Sequence, residues 1–143
     1  MAKSSAAAAT PYDFAALLGL RASSLDDLLR AIARGIPYDA LERLQRTIGI
    51  DIAELIQVPP RTLRRRKQEG RFTPEESDRL VGMARMVSTA IDLFGGNAQE
   101  ARAWLTEPAL AFGGAAPIDV ARTETGAREV ENLIGRIRHG IFS

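Results

Sequence analysis

The segment from Thr73 to Phe94 constrains this chain more than any other stretch. Thr73-Pro74-Glu75-Glu76 supplies an N-cap hydroxyl, a proline at the first helical position and a glutamate where it can reach back to the cap. Behind that start, Leu80, Met83, Ala84, Val87, Ile91 and Phe94 recur at helical spacing. They predict one buried stripe along a helix of about six turns, stopped by Gly95-Gly96. No segment of the chain shows convincing apolar–polar alternation, so the predicted fold class is all-α.

Material to cover that stripe is spaced along the rest of the chain. Residues 1–9 are of low complexity and are expected to be a disordered tail. Thr10-Pro11 reads as a cap and first helical position ahead of Phe14, Leu17 and Leu18. Ser24 can cap a helix carrying Leu25, Leu28, Leu29 and Ile32, with Gly35 at its end and Pro37 forcing a break. Leu41, Leu44 and Ile48 then form the stripe of a helix from Tyr38 to Gly49.

Asp51 and Glu54 begin a very short helix, Ile52 to Gln57, and Pro60 begins the next, which Gly70 can end. Asn97 with Glu100 caps a further helix that closes near Pro108. Its Trp104 and Leu105 read as core, as do Met83 and Met86. From Pro108 to Gly126 turn formers dominate, and loops are expected around one short helix starting at Pro117. Val130, Leu133, Ile134 and Ile137 form a last amphipathic helix that Gly140 should close.

The chain has no cysteine and one histidine, His139. That removes disulfides, thiolate zinc sites and cysteine nucleophiles, and leaves little from which to build a general base or a metal site. Gly113-Gly114 lacks the lysine and the strand-to-helix setting of a phosphate loop and reads as a turn. Neither an enzyme nor a bound cofactor is expected. With no signal-peptide pattern and no apolar span of about 20 residues, the expected location is the cytoplasm, with no membrane partner.

The formal charge of the 143-residue chain is only +1, yet Arg61, Arg64, Arg65, Arg66, Lys67 and Arg71 cluster against one acid, Glu69. The three short helices Tyr38–Ile48, 52–57 and 60–69 have the arrangement of a helix-turn-helix, whose last helix lies in the DNA major groove. On that helix Arg61, Arg64, Arg65 and Gln68 share one face, and Leu63 points almost the opposite way. Arginine suits guanine and phosphate, and glutamine suits adenine, so these four with Thr62 are the candidate DNA contacts.

A solvated surface helix is the competing reading. A membrane-surface role is disfavoured, because Leu63 is the helix's one large aliphatic residue. The modest net charge implies weak binding by one copy, and hence self-association. The segment "YDFAALLGL" offers either a dimer contact or packing on its own core.

From "TLRRR" and "TPEES" onward an ordered series of motifs appears: Phe94-Gly95, Ala101, Trp104-Leu105, Pro108, Gly113-Gly114, Pro117, Thr123-x-x-Gly126, Val130 and a helix ending at Gly140. Over residues 38–142 the chain closely resembles the Xre/MbcA/ParS antitoxins of RES-domain toxins. The resemblance implies an Xre-like helix-turn-helix, placed at 36–72, joined to a toxin-binding domain at 73–143; the N-terminal helices at 10–35, outside the resemblance, are a candidate dimerisation unit. It also implies a non-enzymatic protein that blocks the NAD site of a toxin that consumes NAD or ADP-ribosylates a target. Such a complex would bind its own promoter DNA.

Two stretches are candidates for covering that site. "ARTETGARE" joins Arg122, Thr123, Thr125, Gly126 and Arg128, so a loop there could enter a polar, anion-binding pocket; equally, Thr123 or Thr125 could cap the last helix, and the roles can coexist. The tail supplies Arg136, Arg138 and His139, then Ile141 and Phe142, whose apolar surface would be covered by a partner or by the chain's own domain. A stand-alone repressor with a C-terminal dimerisation or ligand-sensing domain is the alternative, and it leaves this loop and tail without a task.

Overall fold

The computed structural model describes residues 11–140, and its fold is all-α, with no strand among the described residues. A 3-10 helix at Asp13–Leu18 leads into α1 (Leu25–Arg34), α2 (Tyr38–Ile48), α3 (Ile52–Leu55), α4 (Pro60–Glu69) and α5 (Pro74–Leu93). Then come α6 (Ala98–Thr106), a 3-10 turn at Leu110–Phe112, α7 (Pro117–Val120) and α8 (Glu124–Arg138). The expected tail at 1–9, the Thr10 cap and the proposed contacts Ile141 and Phe142 lie outside the described residues.

Helix starts follow the local chemistry. Ser24 accepts the Asp27 amide at 3.1 Å and Asn97 the Glu100 amide at 3.0 Å, each satisfying an otherwise orphan donor. At Thr73 the reciprocal box closes: the hydroxyl accepts the Glu76 amide (3.2 Å) and the Glu76 carboxylate accepts the Thr73 amide (2.9 Å).

α5 is the central helix, packed by α8 along its length and by the first 3-10 helix, α1, α2 and α6 around it. Leu80, Met83, Ala84, Met86 and Val87 are buried; Ile91 and Phe94 lie half-buried against the same core. From α8, Val130 and Ile134 are completely buried, each such aliphatic side chain contributing about 1.5–3 kcal/mol relative to exposure. One core therefore joins the N-terminal and C-terminal halves.

The α2–α3–α4 segment leaves and rejoins that core through one clasp. The Tyr38 amide donates to the Gly70 carbonyl (2.9 Å), the Phe72 amide to the Ile36 carbonyl (3.0 Å), and the Tyr38 and Phe72 rings stack at 5.6 Å. Ser77 of α5 accepts the buried Ile36 amide at 2.8 Å. The ends of the segment are thus fixed to α5.

Four local expectations need correction. The first helix is a single 3-10 run, because Gly19 turns left-handed and donates back to Ala15 and Ala16; Phe14, Ala15 and Leu18 pack into the chain's own core. Of the α1 stripe only Leu28 is buried, and Leu25 and Leu29 remain 54% and 53% exposed, since α1 meets the core along one narrow line. α3 ends at Leu55, because Gln57 takes a positive φ of 63° that stops the helix. Trp104 is half-buried at the core's edge, beside fully buried Leu105.

Candidate functional site

The basic helix α4 contains no buried residue. Its position depends on neighbours: α3 is pinned to α2 by the Ala53 amide donating to Gln45 (3.1 Å), and the Pro59-Pro60 turn then sends α4 outward with Leu63 half-buried against the core. Arg61, Arg64, Arg65 and Gln68 are exposed and Thr62 is half-buried. Among the described residues Arg61, Arg64 and Arg65 form no ion pair, so their guanidinium groups remain available to an anionic partner.

Arg66 is different, although the sequence sets it among the other arginines. Its Nε donates to Glu76 Oε1 at 2.6 Å, its Nη2 to Glu76 Oε2 at 3.0 Å and its Nη1 to Glu69 Oε1 at 3.1 Å. The Arg66 and Glu76 side chains are only 12% and 9% exposed. Hydrogen bonding to Glu76 raises the Arg66 pKa. Burial pushes the Glu76 carboxyl up, but the hydrogen bonds from Arg66 and the Thr73 amide, with the Arg66 charge, outweigh it and hold Glu76 below its ordinary range. This pair fixes how α4 sits on α5. The capping-box role of Glu76 is legible in sequence; its pairing with Arg66 is not, because helix contact rules do not reach across the Gly70 turn.

The second set of candidate residues occupies α8 and the turn before it. The expected loop is a helix start: the Thr123 hydroxyl accepts the Gly126 amide at 3.0 Å. Gly126 is buried in the first turn, where a Cβ would stand 1.7 Å from the Val120 carbonyl oxygen, so the glycine permits close packing of α8 on α7 and adds no flexibility. Arg122 is committed to a bidentate pair with Glu54 of α3 and approaches Asp119 at 3.5 Å. The hydrogen bond to Arg122 depresses the Glu54 pKa. The Arg122 carbonyl also accepts the Gln57 amide group at 3.4 Å.

Thr125 and Arg128 are exposed, the latter 3.7 Å from Glu124. Arg136, Arg138 and His139 are exposed at the opposite end. Because α8 has 15 residues, its ends are about 22 Å apart, so the structure does not bring the two candidate groups into one constellation. Between α3, α5 and α8 runs an open groove of about 350 Å³, lined by Ile56, Arg79, Gly82, Arg122 and Ala127 among others. Among the described residues no cluster of three acids or histidines could hold a metal, and no helix is long and apolar enough to cross a membrane.

The family model described as the antitoxin Xre-like helix-turn-helix domain matches residues 27–85. The model of the antitoxin Xre/MbcA/ParS C-terminal toxin-binding domain matches residues 89–140. The boundary between the two matches falls inside α5, the helix both halves share. Similar proteins include an antitoxin Xre of Yersinia enterocolitica, 41% identical over 88% of each chain, and an antitoxin Xre of Photorhabdus laumondii, 35% identical over 88% of each. A protein named Prs ADP-ribosylating antitoxin, from Sphingobium, is 26% identical over 93% of this chain and 89% of that one. A helix-turn-helix and a toxin-binding domain in this order, built on one core and shared with these relatives, mean that the chain belongs to the Xre antitoxin family, antitoxins of toxin–antitoxin systems.

Proposed function

We propose that this antitoxin binds a RES-domain toxin that consumes NAD or ADP-ribosylates a target, and neutralises it by covering the NAD site. The observation that carries the reading is the match of residues 89–140 to a toxin-binding domain. The Sphingobium relative's name supports ADP-ribosyl chemistry in the partner. In this reading residues 73–143 bind the toxin, residues 36–72 bind operator DNA, and the protein works in the cytoplasm without catalysis of its own.

DNA binding goes through Arg61, Arg64, Arg65 and Gln68 of α4, with Thr62 beside them. Two joined copies would place two such helices on two half-sites. Since Phe14 and Leu18 are used in the chain's own core, we assign self-association to α1, whose Leu25 and Leu29 lie one turn apart and exposed.

The test is NAD turnover by a candidate cognate RES-domain toxin, with and without the antitoxin. Deleting α8 would not isolate the contact, because Val130 and Ile134 belong to the core. The informative comparison is the full chain against one ending at Gly140. Inhibition by the full chain is expected; none at stoichiometric excess would leave a stand-alone repressor, the reading that α4 alone favours.

A further inference from the structure

Between α6 and α7 the chain from Pro108 to Ile118 contains no charged residue, in a protein in which 26% of residues are charged. Within it Ala109 to Ala115 closes into a knuckle. The Ala109 amide donates to the Ala115 carbonyl (3.0 Å), and the Gly114 and Phe112 amides donate to the Ala109 carbonyl (2.9 and 3.0 Å). The Gly113 amide donates to Leu110 (3.1 Å) and the Ala115 amide to Phe112 (3.1 Å). Gly113 and Gly114 turn the chain at φ of 64° and 94°, which other residues rarely adopt. Both flanks are fastened, by buried Leu105 on one side and buried Ile118 on the other, while Phe112 packs half-buried against the core.

Leu110 stands at the tip of this knuckle, 99% exposed. Pro108, Ala111, Gly113, Gly114 and Ala115 around it are exposed as well. Single exposed leucines are ordinary. This one is held by a backbone that five internal hydrogen bonds close, so little conformational freedom remains to be lost on docking. No charge within its segment opposes contact with an apolar surface.

We infer that Leu110 is an anchor that inserts into an apolar pocket of the toxin, beside the contact that covers the NAD site. The inference rests on the toxin-binding reading above. An apolar tip does not suit an anion-binding cleft, so it calls for a separate pocket. The toxin is the occupant because Leu110 lies inside the 89–140 match to a toxin-binding domain; a second copy of this chain is the alternative, and α1 already offers a surface for that.

The experiment is calorimetric titration of the candidate cognate RES-domain toxin with the full-length chain and its Leu110→Ala, Leu110→Asp and Leu110→Met variants, accompanied by thermal melts and mass measurement of each antitoxin alone. Leu110→Ala should weaken binding about tenfold and Leu110→Asp further, with Leu110→Met near wild type. Melting temperatures should be unchanged, since the side chain has no packing to lose. Wild-type-like binding by both Leu110→Ala and Leu110→Asp would overturn the assignment. So would an altered antitoxin mass in Leu110→Asp with unaltered toxin affinity, which would make the occupant a second copy. Absence of binding by the wild-type chain would instead remove the toxin reading itself, and the anchor with it.

Discussion

Arg66 grips Glu76 through two parallel hydrogen bonds, Nε to Oε1 at 2.6 Å and Nη2 to Oε2 at 3.0 Å, and so ties the outward-facing α4 to the first turn of α5. Few other contacts hold α4, which has no buried residue. Arg66→Ala would leave Glu76 ionised and largely enclosed. Removing one partner of a buried pair is strongly destabilising, and with the edge of this pair still wet the expected loss is about 2 kcal/mol. A urea titration measures it; an unchanged midpoint would mean that α4 is held by something else.

The same carboxylate sets a pH dependence. The folded-state pKa of Glu76 lies below its ordinary 4.5, so as pH falls the unfolded chain takes up the proton first. The stability it contributes is therefore complete above pH about 4.5 and disappears as pH drops through the folded value. Glu76→Gln retains a carbonyl oxygen for the Thr73 amide but cannot ionise. Its melting temperature should fall less steeply below pH 5 than that of wild type, and parallel curves would contradict the assignment.

Arg61→Ala/Arg64→Ala/Arg65→Ala removes three exposed cations that have no ion pairs among the described residues. Folding stability should stay within about 0.5 kcal/mol of wild type. Operator affinity should drop, and the dependence of log K on log salt should become shallower by up to about three charges. Shift assays at several salt concentrations measure both; an unaltered slope would exclude α4 as the phosphate-contacting element.

What the sequence made legible here was local. The caps at Ser24, Thr73 and Asn97, the α5 stripe and the α2–α3–α4 arrangement each depend on residues a few positions apart, and all appear in the fold. Contacts between distant segments were not legible. Arg122 looked like a free cation in a polar loop, and it is tied to Glu54 of α3; Gly126 looked like part of that loop, and it is a packing contact with Val120. Leu110 gave no periodic signal at all, because its importance depends on the hydrogen bonds around it and not on its spacing.

Two helical glycines should respond oppositely to alanine. At Gly126 the new Cβ would collide with the Val120 carbonyl, and α7 and α8 would have to part, costing about 1–3 kcal/mol. At Gly82, inside α5, the Cβ would meet nothing within 4 Å, so Gly82→Ala should stabilise by roughly 0.5–1 kcal/mol through helix propensity. Thermal melts of the two variants check the signs.

In the proposed mode of neutralisation, the C-terminal end of α8 is a better candidate than the N-terminal end for the inhibitory contact. At the N-terminal end Arg122 is engaged with Glu54 and the Thr123 hydroxyl with the Gly126 amide, which leaves the exposed Thr125 and Arg128 as the remaining candidates there. At the other end Arg136, Arg138 and His139 are exposed, and none forms an ion pair among the described residues. Arg136 and Arg138 also sit in the last helical turn, where the helix dipole favours cations, so they can be displayed there without cost to the fold. Arg136→Ala/Arg138→Ala/His139→Ala should therefore lose most inhibition of the toxin's NAD turnover while losing no more than about 1 kcal/mol of stability, whereas Thr125→Ala/Arg128→Ala should inhibit normally. The reverse pattern would move the inhibitory contact about 22 Å along α8, to the turn beside Glu54.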